Sequence, residues 1–234
     1  MVCDYDERKQ VYLALRGGDM NQYHKINTVY KRDMANKGKI MEGVYSEPEF
    51  EYLVDNKWIF TEKVDGTNIR VMWNGEAVVF GGKTDNAQMP TFLLYKLQEL
   101  FEGTTKKLLF KTKFNTPEDE KPQVCLYGEG YGAKIQTGGT YIKDGVDFVL
   151  IDVKIGFMWL KREDVEDIAR HFDIKVVPII GSGTLTDMVE MTKKGFNSQW
   201  GNFLAEGIVA RPKVELKTRR EDRIITKIKY KDFK

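Results

Sequence analysis

Apolar residues recur along this chain at two different periods, and each period predicts a different kind of element. Within 161–172 the apolar residues Val165, Ile168, Ala169 and Phe172 follow a helical spacing, which places them on one face of an amphipathic helix. The same spacing predicts further helices, each followed closely by glycine, at 8–16, 92–101 and 184–194. We therefore expect several helices that each bury one face.

Short apolar runs between turn residues predict strands. The dipeptide Asn74-Gly75 separates the runs 69–73 and 77–80 and is a strong signal for a tight hairpin. The other predicted strands are at 123–128, 147–155, 174–180, 205–212 and 223–230. The polar, proline-containing segment 111–121 predicts a surface loop. The expected fold class is α+β, mainly antiparallel sheet with helices packed outside.

The bulk composition fits a single globular domain, 1–234, with 1–22 as an N-terminal helical appendage. Hydrophobic residues make up 41% of the chain, yet no apolar run approaches the length of a membrane span. The first residues are too charged for a signal peptide. Cys3 and Cys125 lie far apart without a metal-ligand spacing, so we expect a buried, reduced Cys125 and a cytoplasmic location.

The net charge of +2 is unevenly distributed along the chain. Residues 211–234 contain ten lysines and arginines against four acidic residues. Such a segment can form a phosphate-binding face, although Lys217, Arg219 and Arg220 also fit an ordinary solvated surface. A second basic group comprises Lys106, Lys107, Lys111 and Lys113. His24 and His171 are assigned no direct catalytic role.

Lys63 is the strongest candidate for a reactive side chain. The run from Thr61 to Arg70 reads as a strand, an Asp65-Gly66 turn and a second strand, with the lysine just before the turn. An amine nucleophile needs such a fixed presentation, and Asp65 could orient it. Taken alone, the Lys-x-Asp-Gly tetrad favours an exposed hairpin lysine beside an Asp-Gly turn.

The segment Glu62-Lys-Val-Asp-Gly-Thr-Asn68 resembles the nucleotidyl-acceptor motif of the covalent nucleotidyltransferases, the polynucleotide ligases and RNA capping guanylyltransferases. Segments similar to the later motifs of that superfamily follow in its order: Gly81-Gly-Lys-Thr-Asp-Asn-Ala-Gln88, Tyr127-Gly-Glu-Gly-Tyr-Gly132, Phe148-Val-Leu-Ile-Asp-Val153, Glu206-Gly-Ile-Val-Ala-Arg211 and Lys227-Ile-Lys229. The run Thr84-Asp-Asn-Ala-Gln88 and the run Tyr23–Thr28 look more like RNA ligases than DNA ligases or capping enzymes.

The resemblance implies the nucleotidyltransferase (ATP-grasp-like) fold, two sheets with the nucleotide between them. Only Tyr230–Lys234 follow the last motif, so we expect no appended OB-fold domain. The resemblance also implies a set of nucleotide-binding residues: Glu62, Asn68, Lys83, Glu129, Phe148, Glu206, Arg211, Lys227 and Lys229.

The implied chemistry begins with attack of Lys63 on the α-phosphate of ATP. Its amine must be neutral to attack, and nearby cations would favour that form. Lys227 and Lys229 alternate on a strand and so share a face, where they can hold the α-phosphate. Glu129 and Glu206 are the expected carboxylates for Mg²⁺ or Mn²⁺, with Glu129 also a candidate for the ribose. Asp65 completes the expected catalytic set.

Two positions depart from the family pattern. Lys83 stands where an arginine is more usual, and a lysine offers a point charge instead of a bidentate phosphate contact. Ile151 stands where an aromatic residue usually precedes the aspartate, so adenine stacking falls to Phe148 or is replaced by aliphatic packing. Lys83 and Asn68 are expected to act in the later steps of joining.

The leading hypothesis is therefore an ATP-dependent RNA ligase that acts in RNA repair and joins 5′-phosphate to 3′-OH ends through lysyl-AMP. We expect a monomer without membrane association, with a protein partner able to supply the contacts of a second domain. One alternative is another covalent nucleotidyltransferase, a DNA ligase or a capping guanylyltransferase. The other is a non-catalytic nucleic-acid-binding module derived from a ligase.

Overall fold

A computed structural model describes residues 22–114, 123–136 and 140–234. The predicted helix at 8–16 lies outside these residues. The described chain divides into two compact units, the first formed by 65–176 with Tyr23 and the second by 24–64 and 177–234. That the whole chain forms one domain stays a prediction.

The structure is α+β, as the sequence predicts. Its strands are β1 (Asn27–Thr28), β2 (Tyr30–Asp33), β3 (Lys39–Tyr45), β4 (Trp58–Lys63), β5 (Thr67–Trp73), β6 (Val78–Gly81), β7 (Val124–Gly132), β8 (Val146–Ile155), β9 (Met158–Trp159), β10 (Lys175–Val176), β11 (Ile179–Gly183), β12 (Gly207–Pro212) and β13 (Thr226–Lys229). Its α-helices are α1 (Pro48–Tyr52), α2 (Thr91–Phe101), α3 (Thr104–Lys113), α4 (Arg162–Phe172) and α5 (Leu185–Lys194).

The second unit is built on a five-stranded sheet with the order β1-β13-β12-β4-β11, antiparallel except where β1 runs parallel to β13. One face of this sheet is apolar, because Trp58, Phe60, Ile208 and Ile228 point to it and are buried, and the neighbours they alternate with are mostly less buried. Helix α5 packs in the same core through Leu185, Met188 and Val189. The other face is therefore left for polar side chains.

The first unit is built on a six-stranded sheet with the order β10-β8-β7-β5-β6, in which β9 also pairs with β8. Its core is rich in phenylalanine: Phe110 stacks on Trp73 at 5.0 Å between ring centroids and contacts Phe172 at 4.5 Å. Cys125 belongs to a separate small cluster with Met72 and Tyr127. It is buried and free, and burial raises the pKa of its thiol to about 12. The expectation for Cys125 is confirmed.

Most of the predicted elements are present within a few residues of their expected ends. The Asn74-Gly75 turn joins β5 to β6, and the Asn74 side chain accepts hydrogen bonds from the backbone N–H groups of Glu76 and Ala77 at 2.9 and 2.8 Å. The predicted strand at 174–180 is divided in two, because β10 pairs with β8 in one sheet and β11 pairs with β4 in the other. Pro178, which cannot donate a ladder hydrogen bond, lies between them.

The prediction of a surface loop at 111–121 is wrong at its start, since α3 continues to Lys113. Burial of Phe110 against Trp73 and Phe172 stabilises this helix despite its polar composition. None of the helices within the described ranges is long and apolar enough to cross a membrane.

The two strands that flank the Asp65-Gly66 turn do not form a hairpin. β4, which ends at Lys63, pairs with β11 and β12, whereas β5 pairs with β6 and β7 in the other sheet. The lysine therefore ends a strand of one unit just before the chain enters the next. An exposed hairpin lysine is excluded.

Candidate functional site

Lys63 and Lys229 are joined through one carboxylate in the second unit. The Nζ atom of Lys63 lies 2.6 Å from Oε2 of Glu206, and the Nζ atom of Lys229 lies 2.6 Å from Oε1 of the same residue. The three side chains are largely but not completely buried, with exposed fractions of 19%, 23% and 12% for Lys63, Lys229 and Glu206. The amines of Lys63 and Lys229 are thus held by one carboxylate at a partly accessible position.

Strand register brings these residues together although they are far apart in sequence. Gly207, the first residue of β12, pairs with Lys63 on one side and with Lys229 on the other. A Cβ atom at position 207 would lie 2.1 Å from the carbonyl oxygen of Ile228 and 2.7 Å from Cα of Lys229. Only glycine fits at this position, and Glu206 immediately before it reaches both lysines.

The polar face of this sheet carries two more of the predicted residues. Lys227 lies two positions before Lys229 on β13, and Thr226 and Ile228, which alternate with them, are completely buried. Alternation along a strand therefore places both lysines on the polar face, as predicted. Arg211 lies on the same face of β12, in phase with Gly207. The structure thus gathers Lys63, Glu206, Arg211, Lys227 and Lys229 on one side of one sheet.

Glu62 points away from this group. Its side chain is 1% exposed and accepts hydrogen bonds from the Ser198 hydroxyl at 2.5 Å and from the Gln199 backbone N–H at 2.8 Å. Burial raises the pKa of the carboxyl, and the two hydrogen bonds oppose part of that shift. The predicted nucleotide contact is not supported by this side chain, which instead fixes the loop that leads to Glu206.

Glu129 and Asn68 are directly opposed in the first unit. They are partners in the antiparallel β5–β7 pair, so their side chains leave the same face about 5 Å apart. The backbone at Gly66 lies close to this pair, since a Cβ atom there would be 2.8 Å from Cγ of Glu129 and 2.3 Å from the carbonyl oxygen of Gly130. The glycine of the Asp65-Gly66 turn is required for that approach.

The amide oxygen of Asn68 is buried and has no hydrogen-bond partner within the described chain. An unpaired buried acceptor is costly, and such groups are usually satisfied by an ion, water or ligand. Asp65, at the start of this unit, donates its backbone N–H to the Tyr141 hydroxyl at 3.1 Å. Asn68 and Glu129 therefore form an oxygen-donor pair suited to a hard cation or a ribose hydroxyl.

Glu129 and Glu206, the two carboxylates predicted to bind a metal, have different neighbours. Both oxygens of Glu206 contact lysine amines, so a cation there would compete with two positive charges. Glu129 has instead the uncharged, unsatisfied oxygen of Asn68 as its cross-strand neighbour. Among the residues that the structure describes, no group of three or more histidine, cysteine or acidic side chains could hold a metal. The donor chemistry fits a cation better at Glu129.

Sequence reasoning missed Arg70, which organises the loop that carries Lys83. Arg70 is 1% exposed, donates from Nε to the carbonyl oxygen of Gly82 at 2.9 Å, and pairs through Nη2 with Asp85 at 2.7 Å. The pairing of Arg70 with Gly81 across the β5–β6 hairpin brings the guanidinium to this loop. Lys83 itself is exposed. The signal for Arg70 was a charged residue within a predicted buried strand. Such residues are rarely buried unless they are paired, so a partner was to be expected.

The Phe148 ring is a core residue. It is completely buried, packs edge-on against Phe101 at 5.4 Å, and would clash with any Cβ atom at Gly128. A ring with no exposed face cannot stack on a base, so the assignment of adenine stacking to Phe148 is not supported. Ile151 is the extra residue of a bulge in β8, between the pairs Gly128–Leu150 and Tyr127–Asp152.

Lysines and carboxylates of the expected motifs lie on the sheets of this α+β fold. A family model described as RNA ligase matches residues 56–230, and the chain belongs to that family. Comparison with curated protein sequences gives no match.

Solved structures of a Naegleria gruberi RNA ligase have the same fold. The apo form of an aspartate-to-alanine variant aligns with a TM-score of 0.60 and 16% identity over 92% of this chain and 59% of that chain. A lysine-to-alanine variant with ATP and Mn aligns with a TM-score of 0.59 and 16% identity, over 92% and 63%. A lysine-to-methionine variant with AMP and Mn gives 0.59 and 17%, over 90% and 58%. This chain thus spans about three fifths of the length of these ligases.

Proposed function

We propose that this chain is an ATP-dependent RNA ligase that joins a 5′-phosphate to a 3′-OH through a lysyl-AMP intermediate on Lys63. The contact of Lys63 and Lys229 with the two oxygens of Glu206 carries the proposal. Through this contact Lys63 is partly accessible, lies at the end of a strand, and is next to a carboxylate that can accept a proton and an amine that can stabilise negative charge. Family membership and the ATP-bound neighbours support the choice of nucleotide.

In the first step the amine of Lys63 attacks the α-phosphorus of ATP. A nitrogen–phosphorus bond forms, the bond to the bridging oxygen breaks, and pyrophosphate leaves with the electron pair. The amine must first lose a proton, and the Glu206 carboxylate at 2.6 Å is placed to accept it. Lys227 and Lys229 on the same face can stabilise the charge that develops on the α-phosphate oxygens.

A divalent cation, Mg²⁺ or Mn²⁺, would offset the charge of the triphosphate when bound. Asn68 and Glu129 are the residues that we assign to it, because the unsatisfied Asn68 oxygen and the opposing carboxylate form an oxygen-donor pair. The same pair could instead hold the ribose hydroxyls. Arg211 is assigned to the phosphates, on the polar face that also carries Lys63.

In the later steps AMP passes from Lys63 to the 5′-phosphate of RNA, and a 3′-OH then attacks that phosphate and releases AMP. We assign Lys83 to the 5′-phosphate, because it is exposed on a loop held by Arg70. Action as a monomer in RNA repair, in the cytoplasm, stays a prediction.

Incubation with α-labelled ATP and Mg²⁺ tests the proposal. The wild-type chain should acquire acid-labile label, and Lys63→Arg, which keeps the charge, should acquire none. Lys217→Ala is the matched control, because Lys217 is an exposed lysine of the same unit that pairs with Glu221. Label on the Lys63→Arg protein at the wild-type rate would refute the assignment, and preference for GTP would favour a capping enzyme.

A further inference from the structure

A recess lies in the second unit, and the residues assigned to nucleotidyl transfer do not line it. Its volume is about 710 Å³, which is within the range of small-molecule sites. Three segments form its walls: the strand entry at His24, Lys25 and Asn27, the start of α1 at 47–50, and the turn at 218–225. The pocket is thus built from parts of the sequence that are far apart.

Cationic side chains from two of these segments converge on the pocket. Lys25, Arg219 and Arg220 are exposed lining residues, and His24 and the nearly buried Arg223 lie beside them. Arg223 is paired with Glu215, which does not line the pocket. The exposed arginines belong to a turn closed by the backbone bridge between Lys217 and Arg223. Their planar guanidinium groups can bind phosphate.

The rest of the lining is acidic and apolar, so it does not suit a bare phosphate ion. Glu47, Glu49 and Asp222 line the same space, and Glu47 accepts a hydrogen bond from the Asn27 amide at 2.6 Å. Phe50 and Ile225, two of the apolar lining residues, are mostly buried. Carboxylates can accept hydrogen bonds from the amino groups of bases.

We propose that this pocket binds one nucleotide unit of the RNA strand, its phosphate on Arg219 and Arg220 and its base toward Glu47 and Glu49. The inference rests on the proposed function, because it assigns a binding site to the RNA of that reaction. Ile225 lines the pocket just before β13, and Lys229 ends that strand. Four strand steps separate them by about 13 Å. The pocket can therefore hold RNA without involving the chemistry at Lys63.

Fluorescence anisotropy with a labelled single-stranded RNA and the full chain tests the site. The double variant Arg219→Ala/Arg220→Ala should bind RNA at least roughly tenfold more weakly. The slope of log affinity against log salt should become shallower by about 0.7 for each phosphate that the variant no longer neutralises. Labelling of Lys63 by ATP should stay at the wild-type rate. Lys217→Ala removes a cation from the same turn but outside the pocket lining, and it should change RNA binding less than twofold.

Three results would overturn the inference: wild-type affinity in the double variant, an equal reduction of affinity in Lys217→Ala, or equally tight binding of a polyglutamate peptide or polyphosphate. A DNA strand of the same sequence that binds equally well would remove the assignment to RNA. The proposed function fails separately, if wild-type protein takes up no label from ATP. In that case weaker RNA binding by the double variant would still support the site.

Discussion

The Oε2 atom of Glu206 lies 2.6 Å from the Nζ atom of Lys63. This contact joins the first residue of the Glu206–Arg211 motif to the second residue of the Glu62–Asn68 motif, across the pairing of β4 with β12. Because the second oxygen of Glu206 holds Lys229, any change at Glu206 affects both amines. The carboxylate is thus the common element of the proposed adenylylation site.

The first prediction concerns that carboxylate. Glu206→Gln keeps the size of the side chain but removes the charge and the proton acceptor, so Lys63 labelling by ATP should fall on the order of a hundredfold or more. Single-turnover labelling measures this rate. Glu42→Gln, which neutralises the exposed partner of Lys193 in the same unit, should label normally. An unchanged rate in Glu206→Gln would show that another group accepts the proton.

Substitutions of Lys227 and Lys217 should differ sharply in their effect on adenylylation. Lys227→Ala removes a cation from the polar face that carries Lys63, so labelling should fall on the order of a hundredfold. Lys217→Ala breaks only an exposed pair with Glu221 and should leave the rate nearly unchanged. Equal reductions in the two variants would mean that the Lys-x-Lys motif has been misplaced.

Arg70 should act on the transfer of AMP to RNA more than on the formation of lysyl-AMP. Arg70→Lys cannot reach both Gly82 and Asp85 in the same geometry, so the Lys83 loop loses its support. We expect normal Lys63 labelling but on the order of tenfold to a hundredfold slower transfer to a 5′-phosphorylated RNA. Chasing pre-formed lysyl-AMP with RNA measures the transfer step.

Two further variants separate positioning from misfolding in that experiment. Asp85→Asn removes the half-exposed partner while Arg70 stays in place, and it should slow the transfer step in the same direction. Glu99→Gln removes an exposed ion pair with Lys96 in the same unit and should have no effect. If Arg70→Lys slows both steps equally, Arg70 supports the unit as a whole and not the loop.

The buried carboxyl of Glu62 should make stability depend on pH. Burial raises its pKa in the folded state above the ordinary value of 4.5. The folded state then binds this proton more tightly than the unfolded state, so the contribution is full below pH 4.5 and is lost as pH rises through the raised pKa. Urea unfolding at a series of pH values measures the effect. Glu62→Gln should remove this part of the pH dependence, and Glu51→Gln, at an exposed position, should retain it.

Local patterns in the sequence were sufficient to predict many elements. The Asn74-Gly75 hairpin, the amphipathic α4 and the shared face of Lys227 and Lys229 follow from residue spacing alone, and the structure confirms them. The gathering of Lys63, Glu206 and Lys229 depends on the strand order, which spacing does not contain. Motif resemblance supplied the expectation that these residues act together.

The errors have physical causes that lie in tertiary packing. The motif resemblance offers Phe148 as one alternative for packing on adenine, but glycine at position 128 leaves room for its ring inside the core. Helix α3 reads as partly polar, but Phe110 anchors it among aromatic rings. Glu62 shares a motif with Lys63, but strand alternation turns the two side chains to opposite faces. In each case the neighbours that decide the outcome are distant in sequence.

The position of Gly207 between two lysine-bearing strands determines which changes of chain length this protein can tolerate. An insertion or deletion of one residue within β12 would turn Ile208 and Ala210 outward and bury Arg211, and Glu206 would lose its place beside both amines. Such a change would disrupt the proposed site and the core together. A two-residue change restores the alternation but still moves Glu206 and Gly207 two positions along β4 and β13, away from Lys63 and Lys229. The paired register on both sides of β12 therefore fixes the length of this strand.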